Sequence, residues 1–313
     1  MTTAAQFLAQ PALQSRRTAL AALSAHLLVA LIALVGVGGA TRVMEAGLAC
    51  PDWPLCYGSL LPGRQMNLQV FLEWFHRLDA FVVGVGLLVQ AAVSWFWRRS
   101  LPRWLPWLST LCVLLVAVQG GLGALTVTLL LPFSVVTAHL LTALLLVALV
   151  SICSQGLLLQ AGSGTPPAAA PAAAAGWLDR SWPWLAALAA ALVLAQCLLG
   201  GLMATQWAAG RCVGSGEACS WLLAHRAGAR PVGALVLVLA ALGWWRRPQE
   251  RSFTALMAAL VIAQIGLGVL SLRLTLAVPG ITVAHQLVAA LLVAVLAALL
   301  SRCWWRPLES SHG

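Results

Sequence analysis

Eight long apolar stretches decide what this chain can fold into. They run over roughly 19–40, 74–95, 104–127, 134–157, 183–205, 224–245, 253–273 and 281–302. A helix needs about 20 apolar residues to cross the hydrocarbon core of a bilayer. The stretches are rich in Leu, Ala, Val and Gly, which favours helices over barrel strands. With 61% of 313 residues hydrophobic and only 8% charged, a soluble fold has no means of hiding the apolar surface. The expected class is an all-α polytopic membrane protein with eight transmembrane helices.

The net charge of +10 raises nucleic acid as a partner, but the placement of the charge argues against it. There is no lysine. Arg16, Arg17, Arg98, Arg99, Arg103, Arg180, Arg246, Arg247, Arg251, Arg302 and Arg306 all fall on one side of an eight-helix arrangement. The positive-inside rule makes that side cytoplasmic and places both termini inside. Trp95, Trp97, Trp104, Trp107, Trp244, Trp245, Trp304 and Trp305 sit at the same ends, as an interfacial belt should. No convincing cleavage site follows the Arg16–Arg17 pair, so the first helix reads as a retained signal anchor.

Residues 160–176, QAGSGTPPAAAPAAAAG, form a Pro/Ala/Gly-rich spacer. They divide the chain into an N-terminal bundle (1–159), a linker (160–180) and a C-terminal bundle (181–313). Each half reads as helix, outer loop with two cysteines, helix, inner arginine loop, helix, short outer turn, helix. VAVQGGLGALTV (116–127) matches VIAQIGLGVLSL (261–272), and VTAHLLTALLLVAL (136–149) matches TVAHQLVAALLVAVL (282–296). The expectation is a tandem repeat in parallel orientation, folded as two four-helix bundles.

Four histidines occupy matched places in the repeat: His76 with His225, and His139 with His285. His76 and His225 are expected to open helices 2 and 6, and the other two to lie near the starts of helices 4 and 8. All four then share one depth toward the outer side. A histidine within a bilayer is costly unless partnered. Two imidazoles at one depth across a bundle are what bis-axial haem ligation needs. The competing reading is a histidine hydrogen-bonded between helices, which four repeated instances disfavour. A bare metal site is disfavoured because no carboxylates cluster with the histidines. His26 and His312 lack repeat partners and are not expected to be ligands.

One position separates the halves. Glu73 stands three residues before His76, on the same helix face, whereas Leu222 stands before His225. A carboxylate beside a haem can move protons, so chemistry is expected in the first half and electron transfer in the second. Pairing of Glu73 with Arg77 or Arg42 is the plainer alternative. Arg77 and Arg226 directly follow histidines and suit haem propionates; snorkelling to the interface is the other reading.

Cys50 and Cys56 share the first outer loop, and Cys212 and Cys219 share its counterpart. Disulfides within each loop are expected in an oxidising compartment, with pairing between the halves left open. A redox role for Cys50 and Cys56 is the lesser reading. Glycines at 36, 38 and 39, 120, 121 and 123, 200 and 201, and 266 and 268 mark either close approach of a flat ligand or close helix packing.

GGATRVMEAGLACPDWPLC (38–56), EWFHRL (73–78), QGGLGALTV (119–127), TAH (137–139), AHR (224–226) and AHQ (284–286) carry a resemblance to the haem A synthase family of cytochrome oxidase assembly. It covers nearly all of residues 19–303. The loop after Cys212 matches by position only. The resemblance implies oxidation of the C8 methyl of haem O to a formyl group, by two hydroxylations and loss of water from a gem-diol. It implies that His76 and His139 bind the substrate haem, that Glu73 is catalytic, and that His225 and His285 ligate a haem b cofactor through its iron. Arg42, Arg77 and Arg226 are the candidate propionate partners. It implies the bacterial cytoplasmic membrane, with haem O synthase and oxidase assembly factors as partners. Two other classes compete. A di-haem b electron carrier or quinol-oxidising subunit would not need the Glu73 asymmetry. A transporter would show inverted rather than parallel repeats.

Overall fold

The computed structural model describes residues 4–161, 177–204 and 219–304, with side chains placed from residue 14 onward. Eight helices among these residues are long and apolar enough to cross a membrane. They are α1 (Ala4–Val43), α2 (Leu68–Phe96), α3 (Trp104–Thr128), α4 (Phe133–Ala161), α5 (Trp177–Met203), α6 (Ser220–Arg246), α7 (Arg251–Arg273) and α8 (Pro279–Trp304). No β-strand occurs among the described residues.

The helices overrun the apolar stretches, because residues too polar for a hydropathy window still continue a helix. In α2 the start moves to Leu68, where the Asn67 side chain accepts from the Val70 N–H at 2.9 Å and caps the helix. His76 therefore does not open α2; it lies about 12 Å along it. His225 likewise stands five residues into α6. Residues 162–176 of the expected linker lie outside the described residues. Its two flanks are helical, since α4 runs to Ala161 and α5 begins at Trp177.

Neighbouring helices form two cyclic sets. α1 packs on α2 and α4, and α3 on α2 and α4; α5 packs on α6 and α8, and α7 on α6 and α8. Each set closes around an apolar core. Leu31, Val83, Leu87 and Val147 lie in the first, and Trp182, Val236, Met257 and Leu296 in the second. A seam of α8 against α1 and α4, and of α4 against α5, joins the sets. Small residues line it: Ala290 and Ala294 of α8 enter the first core, and the Ser151 hydroxyl donates to the Ala294 carbonyl at 2.6 Å. Lipid removes any hydrophobic drive between helices, so close packing and such interhelical bonds hold the seam.

Two turns repeat one device. Leu130 and Leu131 adopt φ of 57° and 60°, and Thr275 and Leu276 adopt 50° and 62°. The left-handed residues close α3 and α7 through Leu131 N–H to the Thr126 carbonyl at 2.8 Å and Leu276 N–H to the Ser271 carbonyl at 2.9 Å. No glycine stands at these four positions; Leu130 and Thr275 are exposed, and Leu131 and Leu276 are half-buried. The turns deliver His139 and His285 to the same place, six residues into α4 and α8.

Candidate haem-binding sites

The histidines meet in two pairs, one in each helix set. The rings of His76 (α2) and His139 (α4) lie 6.4 Å apart, centroid to centroid, inclined at 69°. Those of His225 (α6) and His285 (α8) lie 6.5 Å apart at 83°. An iron between two imidazoles needs about 2 Å per bond and about 1 Å from nitrogen to ring centre, hence centroids about 6 Å apart. Both pairs fit that spacing. Among the described residues no group of three or more His, Cys, Asp or Glu gathers as it would around a bare ion. His26 stays within α1, its Nδ1 2.7 Å from the Ala22 carbonyl.

Each imidazole rests on a glycine of a facing helix. A Cβ added at Gly38, Gly200 or Gly268 would stand 2.9 Å from Cε1 of His76, His225 or His285, and one at Gly123 would stand 3.4 Å from that of His139. These glycines seat the ligands. Gly120, Gly121 and Gly266 would meet nothing within 4 Å.

Three of the four imidazoles are also hydrogen-bonded to the backbone of a glutamine on a facing helix. His225 Nδ1 donates to the Gln196 carbonyl at 3.1 Å, and His285 Nδ1 to the Gln264 carbonyl at 3.0 Å. Nδ1 of His76 is buried without a partner, whereas His139 is hydrogen-bonded to the Gln119 backbone. Glutamine side chains add to this layer. The Gln196 amide donates to the His225 carbonyl at 2.5 Å, and that of Gln119 to the His139 carbonyl at 3.0 Å. The Gln264 amide lies 3.3 Å from His285 Nε2. Reading the sequence for histidines alone misses these residues. Their signal is a glutamine four residues before each seat glycine, at 119–123, 196–200 and 264–268; Leu34 stands in that place before Gly38.

Glu73 is buried, and both its oxygens are engaged. Oε2 accepts from the Cys50 N–H at 2.8 Å, and Oε1 from Arg77 Nη2 at 2.5 Å. Arg77 also spans the outer loop, donating to the carbonyls of Asp52 and Leu55 at 2.6 Å each and of Cys50 at 3.4 Å. Both Nη atoms thus serve the loop and Glu73 instead of facing a propionate. A disulfide joins Cys50 to Cys56. The N–H groups of Gly58 and Tyr57 donate to Asp52 and hold its carboxyl below the usual carboxylate range. Loop, ion pair and Glu73 form one unit beside His76.

Arg42 ends α1 yet reaches the second set. It donates to the Ala204 carbonyl and, at 3.3 Å, to Oε1 of Gln286, the residue after His285. Arg226 is exposed. Cys219 caps α6 and is disulfide-bonded; Cys212 lies outside the described residues.

Residues 21–297 match the family described as cytochrome oxidase assembly protein. A protein of Shewanella oneidensis named "Heme A synthase" is 30% identical, over 91% of this chain and 97% of its own length. Proteins of that name from Sphingopyxis alaskensis and Rhizorhabdus wittichii are also 30% identical, covering 87% and 92% of this chain and 88% and 95% of their own.

Proposed function

Since the chain belongs to the cytochrome oxidase assembly protein family, we propose that it is a haem A synthase, a multi-pass membrane oxidoreductase that converts haem O to haem A. The observation that carries this reading is the pairing of histidines at 6.4 and 6.5 Å with a buried carboxylate beside only one pair. His76 and His139 hold haem O as substrate. Glu73, three residues before His76, moves protons as the C8 methyl is oxidised by successive hydroxylation to the formyl group. Its oxygens each spend one acceptor site on Cys50 or Arg77, and a carboxylate has about four such sites. Each oxygen thus keeps capacity for water or substrate. Arg77 and the loop fix where the carboxyl stands.

His225 and His285 hold haem b, which when bound supplies one-electron transfer. Arg42 and exposed Arg226 serve propionates, Arg42 from across the seam. The N-terminal set is the substrate domain and the C-terminal set the cofactor domain. The protein sits in the bacterial cytoplasmic membrane with both termini inside.

Haem extraction and mass analysis test the assignment, on membranes that make haem O with and without this protein. Haem A, or a hydroxylated haem O, is expected only with it. Unchanged haem O beside an intact, haem b-loaded protein would overturn the reading in favour of an electron carrier.

A further inference from the structure

The two helix sets treat their arginines differently at the end far from the histidines. In the second set the arginines have partners within the protein. Arg247 pairs with Asp179 at 2.8 Å and Arg302 with Glu250 at 2.7 Å, and Arg251 Nε donates to the Trp244 carbonyl at 3.1 Å. At the same end of the first set stand Arg16, Arg17, Arg98, Arg99 and Arg103. No acidic residue occurs in the segments that carry them, 1–44 and 80–178. Among the described residues none of the five forms an ion pair. The positive-inside rule accounts for arginine in both sets, but not for this difference in pairing.

Three of the five line one cavity. It has a volume of about 370 Å³ and is walled by Arg16 of α1, Phe96 at the end of α2, and Trp97, Arg98, Arg99 and Ser100 of the following turn. Small-molecule sites span about 300–1,000 Å³. The turn is fixed from within. The Trp97 carbonyl accepts from the Ser100 N–H at 2.9 Å, the Ser100 hydroxyl at 3.0 Å and the Leu101 N–H at 3.1 Å. Leu101 is buried in a core with Leu20 and Leu105.

Aromatic rings aim the arginines. The Arg16 guanidinium lies 5.0 Å over the Trp97 ring, and that of Arg98 lies 5.8 Å over the Trp95 ring. A ring face holds a guanidinium without neutralising it, and the planar fork of N–H donors suits phosphate oxygens. Arg17, beside Arg16 in sequence, has a buried Nε with no partner among the described residues. The remaining wall is apolar. Phe96 is 82% exposed at the end of a membrane-spanning helix.

We propose that this cavity binds the phosphate of an anionic phospholipid. Arg16, Arg98 and Arg99 surround the headgroup, and Phe96 meets the upper part of the acyl chains. Basic pockets between membrane helices on the cytoplasmic side are suited to such headgroups. A free phosphate would meet the same arginines and leave Phe96 unused. The site is separate from both histidine pairs and does not depend on what they bind.

Native mass spectrometry tests this on the full-length protein in detergent, titrated with phosphatidylglycerol or with phosphatidylcholine. The first phosphatidylglycerol should bind at least about tenfold more tightly than phosphatidylcholine. Arg16→Gln should weaken it about fivefold, and Arg98→Gln with Arg99→Gln about twenty-fivefold. Arg246→Gln removes a charge from the same end of the second set and should leave binding unchanged. Inorganic phosphate in large excess should not displace the lipid. Circular dichroism identifies any variant that fails to fold. Arg98→Lys with Arg99→Lys, which keeps the charge and loses the fork, then carries the test with a smaller loss.

Equal binding of the two lipids, or equal losses from Arg16→Gln and Arg246→Gln, overturns the site. Displacement by inorganic phosphate overturns the lipid as its occupant.

Discussion

The His76–His139 and His225–His285 pairs have nearly the same spacing, 6.4 against 6.5 Å, and almost everything around them differs. The first pair has a buried carboxylate, a disulfide-closed loop and an arginine clamp, and His76 has no partner at Nδ1. The second has both Nδ1 atoms bonded to backbone carbonyls, and Leu222 where the carboxylate would be. Shared spacing makes each pair competent for the same ligand. The surroundings place a buried carboxylate beside one pair only.

The largest effect expected on this contrast is that of Glu73→Gln. It should keep haem at both sites and lower haem A formation a hundredfold or more, the range of a general acid or base. Haem A by mass spectrometry checks it, and a normal yield would remove the chemical difference between the pairs. Next, His225→Leu should cost the second haem while helix content stays, lowering the pyridine haemochrome ratio of haem b to protein. Undiminished haem b would break the assignment of that pair. Gly200→Ala and Gly38→Ala should each displace an imidazole, since the new Cβ stands 2.9 Å from it, and weaken haem binding about tenfold. Gly120→Ala meets nothing within 4 Å and should leave titrated affinity unchanged. Equal behaviour of all three would show that the seats do not matter.

The smallest effect concerns the outer loop, which the first half alone holds by the Glu73–Arg77 pair. Folding depresses the Asp52 carboxyl, chiefly through the Gly58 N–H. Its contribution is complete above the unfolded value, about pH 4, and is lost as pH falls through the lower folded value. Protease cutting within residues 51–60 should therefore rise below about pH 4, and Asp52→Asn should raise it at neutral pH. A pH-independent cutting rate in the unsubstituted protein would contradict this.

The helix count and the histidine pairs were legible because bilayer thickness and repetition each leave a long signal. The eight apolar stretches match α1 to α8 in order. The start of α2 was not legible from hydropathy, since Asn67 acts through one side-chain hydrogen bond. The glycines were legible as a cluster, but not as seats for particular rings. The hydrogen bonds of His225 and His285 cross between consecutive helices and end on the backbone carbonyls of Gln196 and Gln264, which carry no residue identity. The pairing of Arg77 with Glu73 was one of the two readings open from the sequence, whereas its three loop-carbonyl partners had no such signal.

The seam between the helix sets is electrically lopsided. Arg77 faces the carboxylate of Glu73 at 2.5 Å, so its charge is cancelled locally. Among the described residues Arg42 meets the uncharged oxygens of Ala204 and Gln286. Where Gly39 packs on Gln286, the corresponding Gly201 packs on Leu140 and Thr137. One arm of a duplicated contact thus carries a cation, and the other joins a leucine and a threonine. The contact of α1 with α8 is therefore the cationic arm of the seam. In a medium of low permittivity such a fixed charge stabilises an added electron nearby more than one farther off.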